Sequence, residues 1–231
     1  MPRHNRELHK LGTLSWLRAS VLGANDGIVS ISSLILGVAA ARASHGSILL
    51  SGVAAVVAGA MSMAVGEYVS VHSQADSEAS ALKQERAELE VDPLGERREL
   101  SDIYRRRGLS AALALEVATE LMAHDALAAH ARDELGLSSA SRARPLLAAL
   151  ASAASFTVGA VIPLLVSALA SARYIIPATV VASLGCLGFL GALAARAGGA
   201  PMLTAAVRVT AWSALAMAVT AGVGAWIGTA L

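Results

Sequence analysis

The stretch Trp16–Ala41, with the sequence WLRASVLGANDGIVSISSLILGVAAA, decides how this chain folds. After Arg18 it runs for 23 residues with a single ionisable side chain, Asp26. About 20 predominantly apolar residues are enough for a helix to cross a bilayer. A charge inside such a helix costs about 2.5–3.5 kcal/mol or more, so an acid there is a functional hypothesis by default. The sequence therefore predicts a membrane-spanning helix that carries a carboxylate, and cation handling is its obvious use.

The alternative is a polar turn at Asn25-Asp26-Gly27, because Asp-Gly is a strong turn signal. Such a turn would leave apolar pieces of about 7 and 14 residues, and the first would be far too short to cross a bilayer. We favour the continuous helix.

The composition indicates an integral membrane protein. Hydrophobic residues make up 55% of the chain and charged residues 15%, with a mean hydropathy of +0.60. The net charge of +1 gives no reason to expect a nucleic-acid partner. The sequence has no G-xxxx-GK[ST] loop, HExxH motif or Ser-His-Asp arrangement, so we expect neither an ATP-driven pump nor an enzyme, and no cofactor.

Apolar stretches long enough to span a membrane divide the chain into three parts. We expect residues 1–72 to hold an N-terminal segment and two spans, 73–144 to form a charged insert, and 145–231 to hold three more spans. The insert contains fourteen of the seventeen acids and ten of the eighteen Lys and Arg residues. The five predicted spans are 16–41, 47–72, 146–170, 174–196 and 203–230.

The insert reads as three helices. Asp92-Pro93 is a good helix start, and Gly108 and Gly136 are plausible stops. The predicted helices cover 73–91, 93–107 and 110–135, with leucines such as Leu100 and Leu113 on the apolar face. The sequence thus predicts an all-α integral membrane protein with five transmembrane helices and a cytoplasmic three-helix metal-binding insert between helices 2 and 3.

Two helix faces in the first two spans offer ligands for a cation. Ser30 follows Asp26 at i+4, and Glu67 follows Met63 at i+4. Carboxylates alone suit Mg²⁺, Ca²⁺ or Mn²⁺, whereas a thioether favours a softer transition metal. Two plainer interpretations stay open, because Met is an ordinary packing residue and a Glu near the end of a span can reach the interface.

The insert carries a second group of candidate ligands. Glu85 and Glu88 form one i, i+3 pair, and Glu96 and Glu99 form another on the next predicted helix. If the helices pack as a hairpin, their carboxylates converge and need a cation between them. On the third helix the candidates are His130, Asp133 and Glu134. The alternative is a solvated acidic face, paired with arginines such as Arg97.

Two motifs resemble the vacuolar iron transporter family. The first is Asn25-Asp26-Gly27-Ile28-Val29-Ser30 in the first span, and the second is GAMSMAVGEYVS at 59–70. The likeness covers nearly the whole chain, as five spans with an acidic helical insert after the second. It is specific in spans one and two and in the insert, and compositional in spans three to five.

The resemblance implies a homodimer that exchanges cytosolic Fe²⁺, and often Mn²⁺, for protons through a passage between the first spans of the two subunits. By position, Asp26 and Met63 resemble the intramembrane passage residues of the family. The cytoplasmic metal-binding glutamates of the family correspond in spacing to Glu85, Glu88, Glu96 and Glu99. Glu134 resembles the ligand of the family on the third helix of the insert.

The chain departs from some eukaryotic members of that family at two places. Those members have a further carboxylate two turns before the second-span Met, where Ala55 stands here, and Glu67 would take over its role. They also have Met near the third-helix ligand, where this chain has His130 and Ala131. A nitrogen ligand would then replace a thioether.

Basic residues predict the orientation, because Lys and Arg concentrate on the cytoplasmic side of short loops. We expect the N-terminus and the insert in the cytoplasm and the C-terminus outside. The richness in Arg and Ala suggests a bacterial cell membrane, with a vacuolar membrane as the alternative. The expected partners are divalent metal ions, protons, membrane lipid and a second copy. Two alternatives remain: a passive divalent-metal channel, and a membrane-anchored metal sensor or scaffold without transport.

Overall fold

Seven α-helices and one short 3-10 helix make up the part of the chain that the computed structural model describes, residues 3–137 and 144–230. Side chains in the first helix are described from Ser20 onward. Residues 138–143, in the predicted connection between the insert and the third span, lie outside the described residues. The α-helices are α1 (Arg3–Ala40), α2 (His45–Val91), α3 (Pro93–Arg106), α4 (Ala111–Asp133), α5 (Pro145–Leu169), α6 (Ile175–Gly198) and α7 (Met202–Ala230), with the 3-10 helix at Ala172–Tyr174 before α6.

Within the described residues, five helices are long and apolar enough to cross a membrane, and the chain is a multi-pass membrane protein. They are α1 from Ser20 to Ala40, α2, α5, α6 preceded by its 3-10 turn, and α7. The predicted all-α fold with five spans is confirmed. The alternative turn at Asn25-Asp26-Gly27 is wrong, because α1 is helical throughout this segment. Asp26 therefore lies inside a spanning helix.

The chain forms two compact units. The first contains the described residues up to Tyr68 and those from Leu146 on, and the second contains Val69–Pro145. Helix α2 contributes its earlier residues to the first unit and its later residues to the second.

Helix α1 is the most buried of the five spans in the first unit. Its isoleucines pack into two apolar clusters, one with Phe156 of α5 and one with Leu187 of α6 and Met217 of α7. Backbones come very close on two sides of α1: a Cβ at Gly159 of α5 would overlap the backbone oxygen of Ala24, and a Cβ at Gly224 of α7 would overlap that of Gly37. Such glycines let membrane helices pack tightly.

The second unit contains the end of α2 with α3 and α4. Asp92 caps α3 by accepting a hydrogen bond from the Gly95 N–H at 2.9 Å, and Pro93 opens the helix. Gly108 and Gly136 have φ of +101° and +68° after α3 and α4. The predicted cap and both predicted stops are therefore confirmed.

Two details of the insert differ from the sequence prediction. The third helix is not continuous: Asp125 has extended backbone angles (φ −160°, ψ 96°), and its side chain caps the following turn by accepting from the Ala128 N–H at 2.9 Å. The apolar face is also shifted, since Leu113 is 48% exposed whereas alanines pack against Leu100 and Ile103. These alanines are Ala118 and Ala129.

Candidate metal sites

A cavity in the first unit brings Asp26 and Met63 together. Its volume is about 230 Å³. The Ser30 hydroxyl donates a hydrogen bond to Asp26 Oδ1 at 3.1 Å, and Asp26 is exposed in the single chain. A carboxylate, a thioether and hydroxyl groups therefore face one space, as the two helix faces predicted. The cavity is lined by Asp26, Ser30, Ile31, Leu34, Ala55, Gly59, Ser62, Met63 and Phe156.

Glu67, the third residue of the predicted pathway, is not among the residues that line the cavity with Asp26 and Met63. It lies one turn after Met63 on α2, and its side chain is exposed. Its role in a metal pathway stays a prediction. Phe156 of α5, by contrast, was missed by sequence reasoning, although it lines the cavity and its ring occupies the space that a Cβ at Gly59 would need. A lone aromatic in an apolar span gives no sequence signal for such a position.

A second site forms in the insert, where four side chains from three helices converge. Glu85 comes from α2, Glu96 from the first turn of α3, and His130 and Glu134 from the end of α4. One ligand atom from each of the four lies within 4.8 Å of the others. Ligand atoms at 2.0–2.2 Å from a metal ion are roughly 3–4.4 Å apart, so the group fits a divalent ion after small side-chain movements.

His130 Nδ1 is the centre of this group. It hydrogen-bonds to Glu134 Oε2 at 2.8 Å, and it lies 3.0 Å from Glu85 Oε1 and 3.7 Å from Glu96 Oε2. A single ring nitrogen makes one hydrogen bond of this kind, and the contact with the best geometry is the one to Glu134. Glu85 Oε1 is consequently buried without a hydrogen-bond partner among the described residues. A cation bound between these atoms would satisfy it.

The environment disfavours the charged forms of two of these acids. Burial raises the pKa of Glu85 above its usual value, and the nearby charge of Glu134 adds to the rise while His130 opposes it. Burial also raises the pKa of Glu96, again opposed by His130 and reinforced by Glu99. Buried carboxylates crowded in this way are stabilised by a proton or a metal ion.

Three further predicted ligands of the insert lie outside this group of four. Glu88 is exposed and accepts a hydrogen bond from Gln84 at 3.0 Å, and Glu99 is also exposed. Both still lie near enough to act on the charge of Glu96. Asp133 is largely buried, and its carboxylate is held by Arg107, Arg132 and Tyr104. Whether any of these three binds metal stays a prediction.

Asp133 is electrostatically distinct from the four converging residues. Burial alone would raise its pKa, but hydrogen bonds from Arg132, Arg107 and Tyr104 outweigh this and lower the pKa to about 2. The carboxylate is therefore ionised and satisfied without any metal. Asp133 is thus paired with arginines, whereas Glu85 and Glu96 face His130.

Comparison with known proteins identifies the family. The sequence model of the VIT family matches residues 17–225, which is most of the chain. The chain belongs to the VIT family. A protein named vacuolar iron transporter from Acanthamoeba castellanii is 52% identical over 226 residues, covering 96% of this chain and 84% of the relative.

Plant proteins of the VIT family are more distant. Vacuolar iron transporter homolog 1 of Oryza sativa subsp. japonica is 37% identical over 210 residues, which cover 90% of this chain and 72% of the relative. Vacuolar iron transporter homolog 2 of Arabidopsis thaliana is 36% identical over 214 residues, with 92% and 85% coverage. These matches confirm the family that the motifs around Asp26 and Met63 resemble.

Proposed function

We propose that this protein exports divalent transition-metal ions, Fe²⁺ and also Mn²⁺, from the cytosol in exchange for protons. The observation that carries the proposal is the cavity in which Asp26 and Met63 meet inside spanning helices. A carboxylate at that depth is tolerated when a proton or a cation neutralises it. Competition between the two at Asp26 is the simplest physical basis for antiport. The name shared by the relatives supports iron as a cargo.

The insert site would capture the metal before it enters the membrane. His130, Glu85, Glu96 and Glu134 offer one nitrogen and several oxygen donors, a set that suits a borderline divalent ion. The distribution of Lys and Arg supports a cytoplasmic insert and a C-terminus on the outside. The richness in Arg and Ala supports a bacterial cell membrane. Metal would then be concentrated on the side from which it is exported.

A homodimer would explain why Asp26 is exposed in a single chain. Lipid is a poor neighbour for a carboxylate, so this face of α1 needs a polar partner. A second copy would supply another Asp26 and Met63, and a cation between the two copies would neutralise both acids. Exposed apolar side chains elsewhere, such as Leu203 and Trp212 on α7, would face lipid.

Transport into proteoliposomes tests the role of Asp26. Asp26→Asn keeps the shape of the side chain but removes its charge, so we expect metal flux to fall at least about tenfold while the protein still assembles. Asp102→Asn is the matched control, because Asp102 is exposed and paired with Arg105 outside the spans. Flux is measured with Fe²⁺ and Mn²⁺, and size-exclusion chromatography checks assembly. Full activity of Asp26→Asn would refute the proposal.

The two alternatives give different results in the same vesicles. With an internal pH reporter, antiport predicts a pH change that accompanies metal uptake and is absent for Asp26→Asn. A passive channel predicts metal flux without coupled proton movement, so any pH change should equal the one seen when an ionophore carries the same metal flux. A sensor or scaffold predicts metal binding by the insert and no flux at all.

A further inference from the structure

We propose that Asp133 is a positioning residue that holds the metal-binding end of α4 against α3. The inference rests on the proposed metal capture by the insert. By sequence Asp133 is a candidate ligand, whereas in the structure donors from α3, α4 and the residue after α3 surround its carboxylate. Its side chain is only 8% exposed.

The contacts of Asp133 form a clamp between the ends of two helices. On α3, the Tyr104 hydroxyl donates to Asp133 Oδ2 at 2.7 Å. Just beyond α3, Arg107 Nη1 donates to Oδ1 at 2.7 Å and Nη2 donates to the Asp133 backbone oxygen at 3.2 Å. Arg107 also lies over the Tyr104 ring, 5.3 Å from its centroid. From α4 itself, Arg132 Nη2 donates to Oδ2 at 2.7 Å.

The position of the clamp in α4 makes it important for the metal site. Because Asp125 breaks the helix, the segment that carries His130 and Glu134 is only about two turns long. So short a helix is not stable by itself and depends on contacts at its ends. Asp125 caps its start, and Asp133 fixes its last turn, directly between His130 and Glu134 in sequence.

Before metal binds, the carboxylates of the site repel one another, and the clamp opposes the displacement of α4 that this repulsion favours. Glu85, Glu96 and Glu134 bring three carboxylates to one imidazole nitrogen. Their mutual repulsion pushes the end of α4 away from α2 and α3. Charge-assisted hydrogen bonds outside the site, from Arg107 to Asp133, hold this end in place. Glu96 lies in the first turn of α3, and Arg107 directly follows its last residue. One end of α3 therefore provides a candidate ligand, and the other end provides the contact that holds Asp133.

The test is Co²⁺ binding to the full-length protein in detergent, measured by calorimetry and by the visible spectrum of bound Co²⁺. Asp133→Asn should weaken binding about 10–100-fold, as loss of a residue that orients a ligand commonly does. The Co²⁺ spectrum at saturation should stay that of the wild type, because the ligands are unchanged. A changed spectrum at saturation would make Asp133 a ligand and overturn the proposal.

A second variant reaches the clamp from its other side. Arg107→Gln alters no candidate ligand, and Arg107 is half exposed, so the fold should tolerate the change. It should weaken Co²⁺ binding, and the double variant should bind no more weakly than Asp133→Asn alone, since the ion pair between Arg107 and Asp133 is already broken in that variant. Asp102→Asn removes a comparable ion pair, to Arg105 at 2.9 Å on the same helix, and should leave affinity unchanged.

The outcomes separate this inference from the proposed function. Wild-type binding together with unchanged affinity in Asp133→Asn and Arg107→Gln would refute the clamp alone. Absence of Co²⁺ binding by the wild-type protein would refute both the capture site and the clamp. A transport assay adds a check: loss of the clamp should raise the metal concentration for half-maximal flux without lowering the maximal rate.

Discussion

Glu85 is a buried carboxyl group whose surroundings disfavour its charged form. Its side chain is 3% exposed, and its Oε1 lies 3.0 Å from His130 Nδ1, which hydrogen-bonds to Glu134. The raised pKa of Glu85 and Glu96 has a definite consequence for stability. A carboxyl group with a raised pKa favours the fold below its usual value of 4.5, and this contribution is lost as the pH rises through the raised value. At neutral pH, without a bound cation, the charged forms of Glu85 and Glu96 would therefore carry strain, first from burial and then from the neighbouring carboxylates.

Glu85→Gln should relieve part of that strain in the metal-free protein. We expect its melting temperature at pH 7 to rise by about 2–4 °C, which corresponds to about 1 kcal/mol for a chain of this length. Acidification toward pH 5 should stabilise the wild type more than the variant. Added Mn²⁺ should stabilise the wild type and have little effect on Glu85→Gln. Melting followed by circular dichroism measures all three.

The control for this prediction is Glu116→Gln, because Glu116 is exposed on α4 away from the four converging residues. It should melt like the wild type, with and without metal. If Glu85→Gln were instead strongly destabilised in the absence of metal, the carboxylate would be a structural partner of His130 rather than a metal ligand.

Close helix packing in the first unit depends on particular glycines. A Cβ at Gly224 would overlap the backbone oxygen of Gly37 on α1, whereas a Cβ at Gly222, also on α7, would meet nothing within 4 Å. Gly224→Ala should therefore destabilise the protein by about 1–3 kcal/mol, because backbone atoms cannot move aside as a side chain can. Gly222→Ala should be neutral or slightly stabilising, since Ala is the better helix former.

Thermal stability of the two variants in one detergent measures this difference. Equal melting temperatures would mean that α1 and α7 do not approach as closely as the structure has them. The comparison is internally controlled, because both changes add one methyl group to the same helix.

Local signals in the sequence predicted the elements well. Apolar length gave the five spans, and Asp92 with Gly108 gave the limits of α3, because capping and positive φ depend on residues close in sequence. The break at Asp125 was not predicted, since an Asp within an alanine-rich helix has several acceptable roles. The predicted apolar face of α4 was also partly wrong, because α4 contacts α3 through small residues such as Ala118 rather than through Leu113.

The residues of the candidate site in the insert were predicted in part. Spacing and family resemblance named Glu85, Glu96, His130 and Glu134, and the structure brings these four together. The same reasoning could not separate Asp133 from them, because its partner Arg107 is 26 residues away and the pairing depends on how α3 and α4 pack. Under our proposal, burial and the identity of the partners, rather than residue type, distinguish a candidate metal ligand from the residue that positions it.

At the scale of the whole molecule, the two candidate sites lie in different compact units and have different chemistry. The insert offers nitrogen and carboxylate groups as candidate ligands, whereas the cavity of the first unit offers one carboxylate, a thioether and hydroxyl groups. Many charged ligands favour capture at low metal concentration. Fewer ligands favour release, which transport requires. Damage to either site should therefore change a different kinetic parameter.

Replacing Glu85, Glu96 and Glu134 together by Gln should raise the metal concentration for half-maximal flux about tenfold or more. The maximal rate should be nearly unchanged, because the cavity around Asp26 is intact. Asp26→Asn should show the opposite pattern, with a lost maximal rate and wild-type metal binding by the insert. Initial rates of Mn²⁺ uptake into proteoliposomes over a wide concentration range separate the two, with Glu116→Gln/Glu120→Gln on exposed positions as the control. A triple variant that lost its maximal rate while keeping its half-saturation point would show that the insert acts within the translocation step rather than before it.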